Sequence, residues 1–167
     1  ESEYWEISGQ HQQIGKNFRA DLGYMPKADY RQTKIEVARV FYGNENTFWS
    51  NASIDFDVHG DYSESGKQLS KGFLTSAAIN GPMLSYLEIN FQKAEKIGTP
   101  DIKGELDGTP YFDEHKTEVF GFMNPTADLY IEGALSNGNK IDYANNRLGD
   151  YKELWSKVVY NMTKHLE

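Results

Sequence analysis

From Asn51 to Tyr62 the chain alternates in a strict two-residue period. Ala52, Ile54, Phe56 and Val58 fall on one side, and Ser53, Asp55, Asp57, His59 and Asp61 on the other. Successive side chains of an extended strand point to opposite faces, so this stretch is a ribbon with one apolar wall and one wet, acidic wall. At roughly 3.3 Å per residue it reaches about 40 Å, beyond the usual strand of a water-soluble domain. Tilted by about 45°, it spans the roughly 30 Å hydrocarbon core of a bilayer. Segments of similar length and pattern recur between turns. The expected fold is all-β: an antiparallel up-and-down transmembrane β-barrel with a polar interior.

Composition fits that expectation better than a layered soluble core. Only 38% of the 167 residues are hydrophobic and the mean hydropathy is −0.69, whereas a barrel wall needs apolar residues at every second position alone. No run of about 18 apolar residues exists to form a membrane helix, which says nothing against a β-barrel. Aromatic residues, 14% of the chain, suit the girdles at the two water interfaces of a membrane barrel; they would equally fill a soluble core. A net charge of −8 argues against a nucleic-acid partner, which calls for basic patches. The absence of cysteine excludes a disulfide scaffold and a thiolate zinc site. No linker divides residues 1–167, so they read as a single barrel region.

Eight strands are expected, near 10–24, 30–42, 50–62, 67–79, 83–95, 115–123, 127–136 and 151–162. In the fifth, Leu87, Ile89 and Phe91 oppose Glu88, Asn90 and Gln92; in the seventh, Leu129, Ile131 and Leu135 oppose Asp128, Tyr130 and Glu132. In the last, Val159 breaks the alternation. Arg39 interrupts the apolar side of Ile35, Val37 and Phe41 in the second, which implies either a snorkelling side chain or a bend. Asn80-Gly81-Pro82 and Asn124-Pro125-Thr126 read as tight turns. Glu95–Glu114 and Ser136–Asp150 read as long polar loops. Short turns at one end and long loops at the other mark outer-membrane barrels. Parity then puts the connection from Tyr42 to Trp49 at the short-turn end, where Phe48 and Trp49 suit a girdle, and the turn Met25–Asp29 at the other.

The segment Ile14-Gly15-Lys16-Asn17-Phe18-Arg19-Ala20-Asp21-Leu22-Gly23-Tyr24-Met25-Pro26-Lys27-Ala28-Asp29-Tyr30-Arg31 resembles one found in a family of Gram-negative outer-membrane proteins. In that family a family-9-like carbohydrate-binding domain precedes a large C-terminal β-barrel of unknown function. The strands flanking Asn80-Gly81, and Tyr160-Asn161-Met162-Thr163-Lys164-His165-Leu166, also look like that barrel, so the likeness covers most of the chain. It implies a bacterial outer-membrane location, a piece of a larger barrel, and carbohydrate as solute. It supplies no catalytic residue.

Candidate site residues lie on the polar faces. Asp55, Asp57, His59 and Asp61, with Glu88 and Asn90, form the expected lumen face. Its commoner role is a solvated wall with counter-charges on neighbouring strands, and that reading is favoured over a cation site. Asp101, Glu105, Asp107, Asp113 and Glu114 could in principle chelate calcium, but without EF-hand spacing a plain acidic loop is favoured and no cofactor is assigned. His11, His59, His115 and His165 lack metal-ligand spacing, and no nucleophile elbow or phosphate-binding glycine pattern occurs. No catalytic residue is assigned. Asn51-Ala52-Ser53 and Asn161-Met162-Thr163 are formal glycosylation sequons, without meaning in strands of a bacterial barrel.

Three functions compete. The first is a segment of an outer-membrane barrel serving passage or surface binding of a polar solute, with the lipid bilayer, an oligosaccharide and other outer-membrane proteins as partners. The second is a complete eight-stranded membrane barrel, plugged by its own side chains, acting as an anchor or adhesion protein. The third is a soluble lipocalin-like or sandwich-like binding module. The direction of Ile54, Phe56, Leu87, Ile89 and Leu129 separates them: inward in a soluble module, outward in a membrane barrel.

Overall fold

The computed structural model describes residues 4–15, 30–100 and 104–162. Eight strands run in sequence: β1 (Tyr4–Ile14), β2 (Tyr30–Tyr42), β3 (Asn51–Tyr62), β4 (Gln68–Gly81), β5 (Ser85–Ile97), β6 (Tyr111–Thr126), β7 (Leu129–Asp142) and β8 (Arg147–Tyr160). Each pairs antiparallel with its neighbour in the chain, giving one up-and-down sheet in the order β1 to β8. Among the described residues there is no helix, and no ladder joins β1 to β8.

Directly paired residues share a face, so the register assigns every side chain. One row reads Trp5, Arg39, Ile54, Ala77, Ile89, Val119, Leu135 and Leu154. A row of the opposite face reads Glu6, Ala38, Asp55, Ser76, Asn90, Glu118, Ser136 and Glu153. Burial is inverted relative to a soluble protein. Asp57 and Ser136 are 7% and 2% exposed, whereas Ile54 and Leu135 are each 55% exposed. No second layer covers the sheet among the described residues. A bare sheet can bury one face only by curling toward it, so the polar face is inner and the apolar face outer.

The strands differ from the sequence expectation at their ends. β1 begins at Tyr4 rather than near residue 10, because Trp5 and Ile7 already alternate with Glu6 and Ser8. The expected stretch 16–24 lies outside the described residues, as does the turn at 25–29. The expected loop 95–114 shrinks to 98–110, since β5 and β6 extend to Ile97 and from Tyr111. The expected loop 136–150 is mostly strand, with a tight turn at 143–146. There Ser136 to Asp142 pairs with Glu153 to Arg147, and apart from the Ile141–Leu148 pair and Tyr151 both faces are polar, so the alternation that reveals a strand is absent. Strands that run past an apolar belt into water have this composition.

Two turns also move. Asn124-Pro125-Thr126 belongs to β6, and the turn is Ala127-Asp128. Pro125 cannot donate to the ladder, and the β6–β7 register breaks between Met123 and Thr126. Asn124 N–H instead donates to Met83 O at 2.8 Å. Likewise β4 runs through Gly81, and the turn is Pro82 to Ser85, closed by Ser85 N–H to Pro82 O at 3.1 Å. Its central residues Met83 and Leu84 have φ of 58° and 50°. Both signs match a type I′ turn, which normally recruits Asn and Gly. Left-handed backbone costs an ordinary L-residue roughly 1–2 kcal/mol, so this turn is strained.

Candidate functional site

The outer face carries an apolar belt bounded by aromatic rings. Ile54, Phe56, Leu87, Ile89, Phe91 and Ile131 are all exposed on it, while Val58 and Leu129 are half-buried on the same side. On β3 the outer run extends from Ala52 to Tyr62, about 33 Å along the strand at 3.3 Å per residue, or about 25 Å along a membrane normal at a tilt near 40°. That is the height of an outer-membrane apolar band. Trp5 and Tyr160 sit toward the short-turn end, where the 43–50 connection exposes Phe48; Tyr62 and Tyr111 stand exposed at the other end. Arg39 does not bend its strand: pairing runs through it on both sides. Its guanidinium lies 5.1 Å from the Trp5 ring centre and 4.9 Å from that of Phe41, a cation–π setting at the aromatic end of the belt.

The inner face carries the charge. Asp57 is buried, with Lys34 Nζ at 2.8 Å and His59 Nδ1 at 3.6 Å. Gln32 Nε2 donates to Asp61 at 2.9 Å, and Ser53 and Ser76 donate to Asp55 at 2.9 and 3.4 Å. Further along, Lys96 meets Glu114 at 2.6 Å, and Lys116 and Ser136 meet Glu118, each at 2.6 Å. Asp55, Asp57, His59 and Asp61, with half-buried Glu88 and Asn90, therefore stand on one face, and the three aspartates all have partners there. Such a wall presents alternating donors and acceptors to water or a polar solute.

The acidic loop residues do not converge. Asp113 and Glu114 are neighbours on β6 and point to opposite faces, Asp107 pairs with Lys67 at 3.2 Å, and Asp101 lies outside the described residues. Among the described residues no cluster of His, Asp or Glu is arranged to hold a metal. The 98–110 connection is pinned instead to the β7–β8 turn: Thr99 donates to Tyr143 O at 2.5 Å and to Asn146 Oδ1 at 3.0 Å.

One group of inner-face residues escaped the sequence reading. At the short-turn end, Tyr86, Phe122 and Tyr130 form a line across β5, β6 and β7, with ring centres 5.4 and 6.1 Å apart. Phe120 and Trp155 stand beside them at 6.2 Å, flanking buried Ala134. The signal was present in Val119 to Met123, where both faces are apolar and the period disappears.

Comparison with known family models, curated proteins and solved structures gives no match for this chain.

Proposed function

We propose that this chain is part of the wall of an outer-membrane β-barrel that passes or binds a polar solute on its inner face. The observation that supports it is the inversion of burial: acids and serines enclosed on the inner side, a belt of Ile, Leu and Phe on the outer. A water-soluble protein rarely exposes a contiguous apolar patch beyond a few hundred Å², and a bilayer is the solvent that accepts such a belt. Among the described residues β1 and β8 each pair on one side alone, which favours a larger barrel in which both pair with further strands, as does the resemblance carried by residues 14–31. The complete eight-stranded barrel is the second reading.

Reconstitution tests the membrane assignment. The intact protein should need detergent for extraction and should insert into lipid vesicles with its strands protected from protease; a monomer that stays soluble without detergent would refute it. Engineered cysteine pairs separate the two barrels. Ile7→Cys with Leu154→Cys or Ser156→Cys should form no intramolecular disulfide in a larger barrel, because the wall keeps β1 and β8 apart. Efficient oxidation, which requires Cα atoms within about 7 Å, would instead establish a closed eight-stranded barrel.

A further inference from the structure

The aromatic group on the inner face is out of place. Much of that face consists of serines, amides and paired charges, with a smaller ring pair, Tyr4 and Tyr42, on β1 and β2; at the short-turn end of β5 to β8 five rings gather on it as a shelf, with Trp155 itself exposed. Placing large rings on a water-lined wall leaves apolar area hydrated that the outer face could have buried in lipid. The sequence also repeats a unit. On each strand one ring is followed or preceded, two residues away and so on the same face, by a glutamate: Tyr86 with Glu88, Glu118 with Phe120, Tyr130 with Glu132, and Glu153 with Trp155.

We propose that this shelf binds neutral saccharides. The proposal rests on the inner face being the solvated lumen. A pyranose ring has an apolar C–H face and a rim of hydroxyls. The first stacks on aromatic rings through dispersion and C–H contact, and the second donates to carboxylates, where hydrogen bonds to a charged acceptor are the stronger kind. Tyr86 and Phe122 stack on each other at 5.4 Å, and tilted Tyr130 and exposed Trp155 continue the group across β7 and β8, so the free ring surface extends across the sheet as an extended oligomer would.

At two of the four glutamates the charge favours a neutral ligand over a cation. Glu118 is matched by Lys116 at 2.6 Å, and Glu132 by Lys157 at 3.7 Å. Lys157 also lies over the Tyr130 ring at 5.7 Å, occupying the place an ammonium ligand would take. These carboxylates keep acceptor capacity for hydroxyls while their net charge is already balanced.

The test is titration calorimetry of the intact detergent-solubilised protein with short linear oligosaccharides of glucose, galactose, mannose and N-acetylglucosamine. At least one should bind saturably. Phe122→Leu and Tyr130→Leu, which keep apolar bulk but remove the ring, should each weaken it about tenfold or more, Phe122→Trp should restore it, and the outer-face change Phe91→Leu should leave it unaltered. Absence of binding by every sugar, or binding indifferent to both leucine variants, overturns the proposal. So does displacement of the sugar by choline at comparable concentration, which would make the shelf a cation site. Vesicle insertion measured on the same preparation separates the two levels: insertion without sugar binding removes only this proposal, whereas failure to insert removes the lumen on which it depends.

Discussion

Replacing Ile89 by arginine should be far more damaging than replacing its neighbour Asn90. Ile89 is 49% exposed and lies midway along the outer apolar run of β5, between Leu87 and Phe91. In a bilayer that places it near the midplane, where an arginine on the lipid face of a barrel costs about 2–4 kcal/mol. The folding equilibrium constant should fall roughly 30- to 800-fold, since each 1.4 kcal/mol is tenfold. Asn90 points to the opposite side, in the row of Asp55, Ser76 and Glu118. A guanidinium there meets water and two carboxylates, so Asn90→Arg should change stability by no more than about 0.5 kcal/mol. The assay is urea-titrated refolding into phospholipid vesicles, followed by tryptophan fluorescence. A sheet of this same facing held in water would give another pattern, because half-exposed Ile89 would tolerate arginine and partly enclosed Asn90 would not. Equal midpoints for the two variants, or the reverse order, would refute the facing of the sheet.

Three further outcomes follow from particular residues. Met83→Asn combined with Leu84→Gly should raise the unfolding free energy by about 1–3 kcal/mol, because the new residues accept left-handed backbone in a type I′ turn; a lowered value would show that the strain is not there. Gly138→Ala should lower stability by about 1–3 kcal/mol and speed hydrogen exchange in β6 and β7, since its Cβ would lie 2.0 Å from the His115 carbonyl oxygen; a silent substitution would mean that the two strands are not in this register. Lys34→Met should destabilise by less than about 2 kcal/mol, a discounted figure because the lysine side chain is 35% exposed while Asp57 behind it is buried. Adding Asp57→Asn should recover most of that loss in the same urea titration, and additive losses would count against the pair.

Strand existence and facing were legible where one face was apolar and the other polar. That held for Asn51–Tyr62 and for Leu87–Gln92, and it placed Asp55, Asp57, His59 and Asp61 on one wall. It failed where both faces had the same character. Ser136 to Lys140 has no apolar side chain and read as a loop, although it pairs with β8 residue by residue. Phe120 and Phe122 sit among apolar neighbours and so concealed the aromatic shelf. Tyr4 to Ile14 gave a weak signal because Gly9 and His11 follow Trp5 and Ile7 on the outer side. Ion pairs such as Lys34 with Asp57 depend on which strand lies beside which, and a period-2 pattern says nothing of that.

The same alternation is compatible with a soluble sheet, and the difference lies in what each solvent leaves unsatisfied. In water the inner face and the strand edges can be hydrated, but the outer belt from Trp5 across to Leu154 cannot, and an apolar surface of that extent drives association. In lipid the belt is at home, but the edges are not: each unpaired N–H or C=O along β1 and β8 costs several kcal/mol in hydrocarbon. A handful of such groups exceeds the 5–15 kcal/mol by which a typical domain is stable. The open sheet is therefore satisfied in neither solvent by itself. Closing it, whether by further strands or by joining β1 to β8, supplies the edge partners while leaving the belt facing lipid and the paired charges facing water. A soluble cover would have to bury the outer belt and leave the inner face free, which amounts to a second layer on the side that now lacks one. Pairing at the edges demands only backbone, which both edge strands already present in extended form.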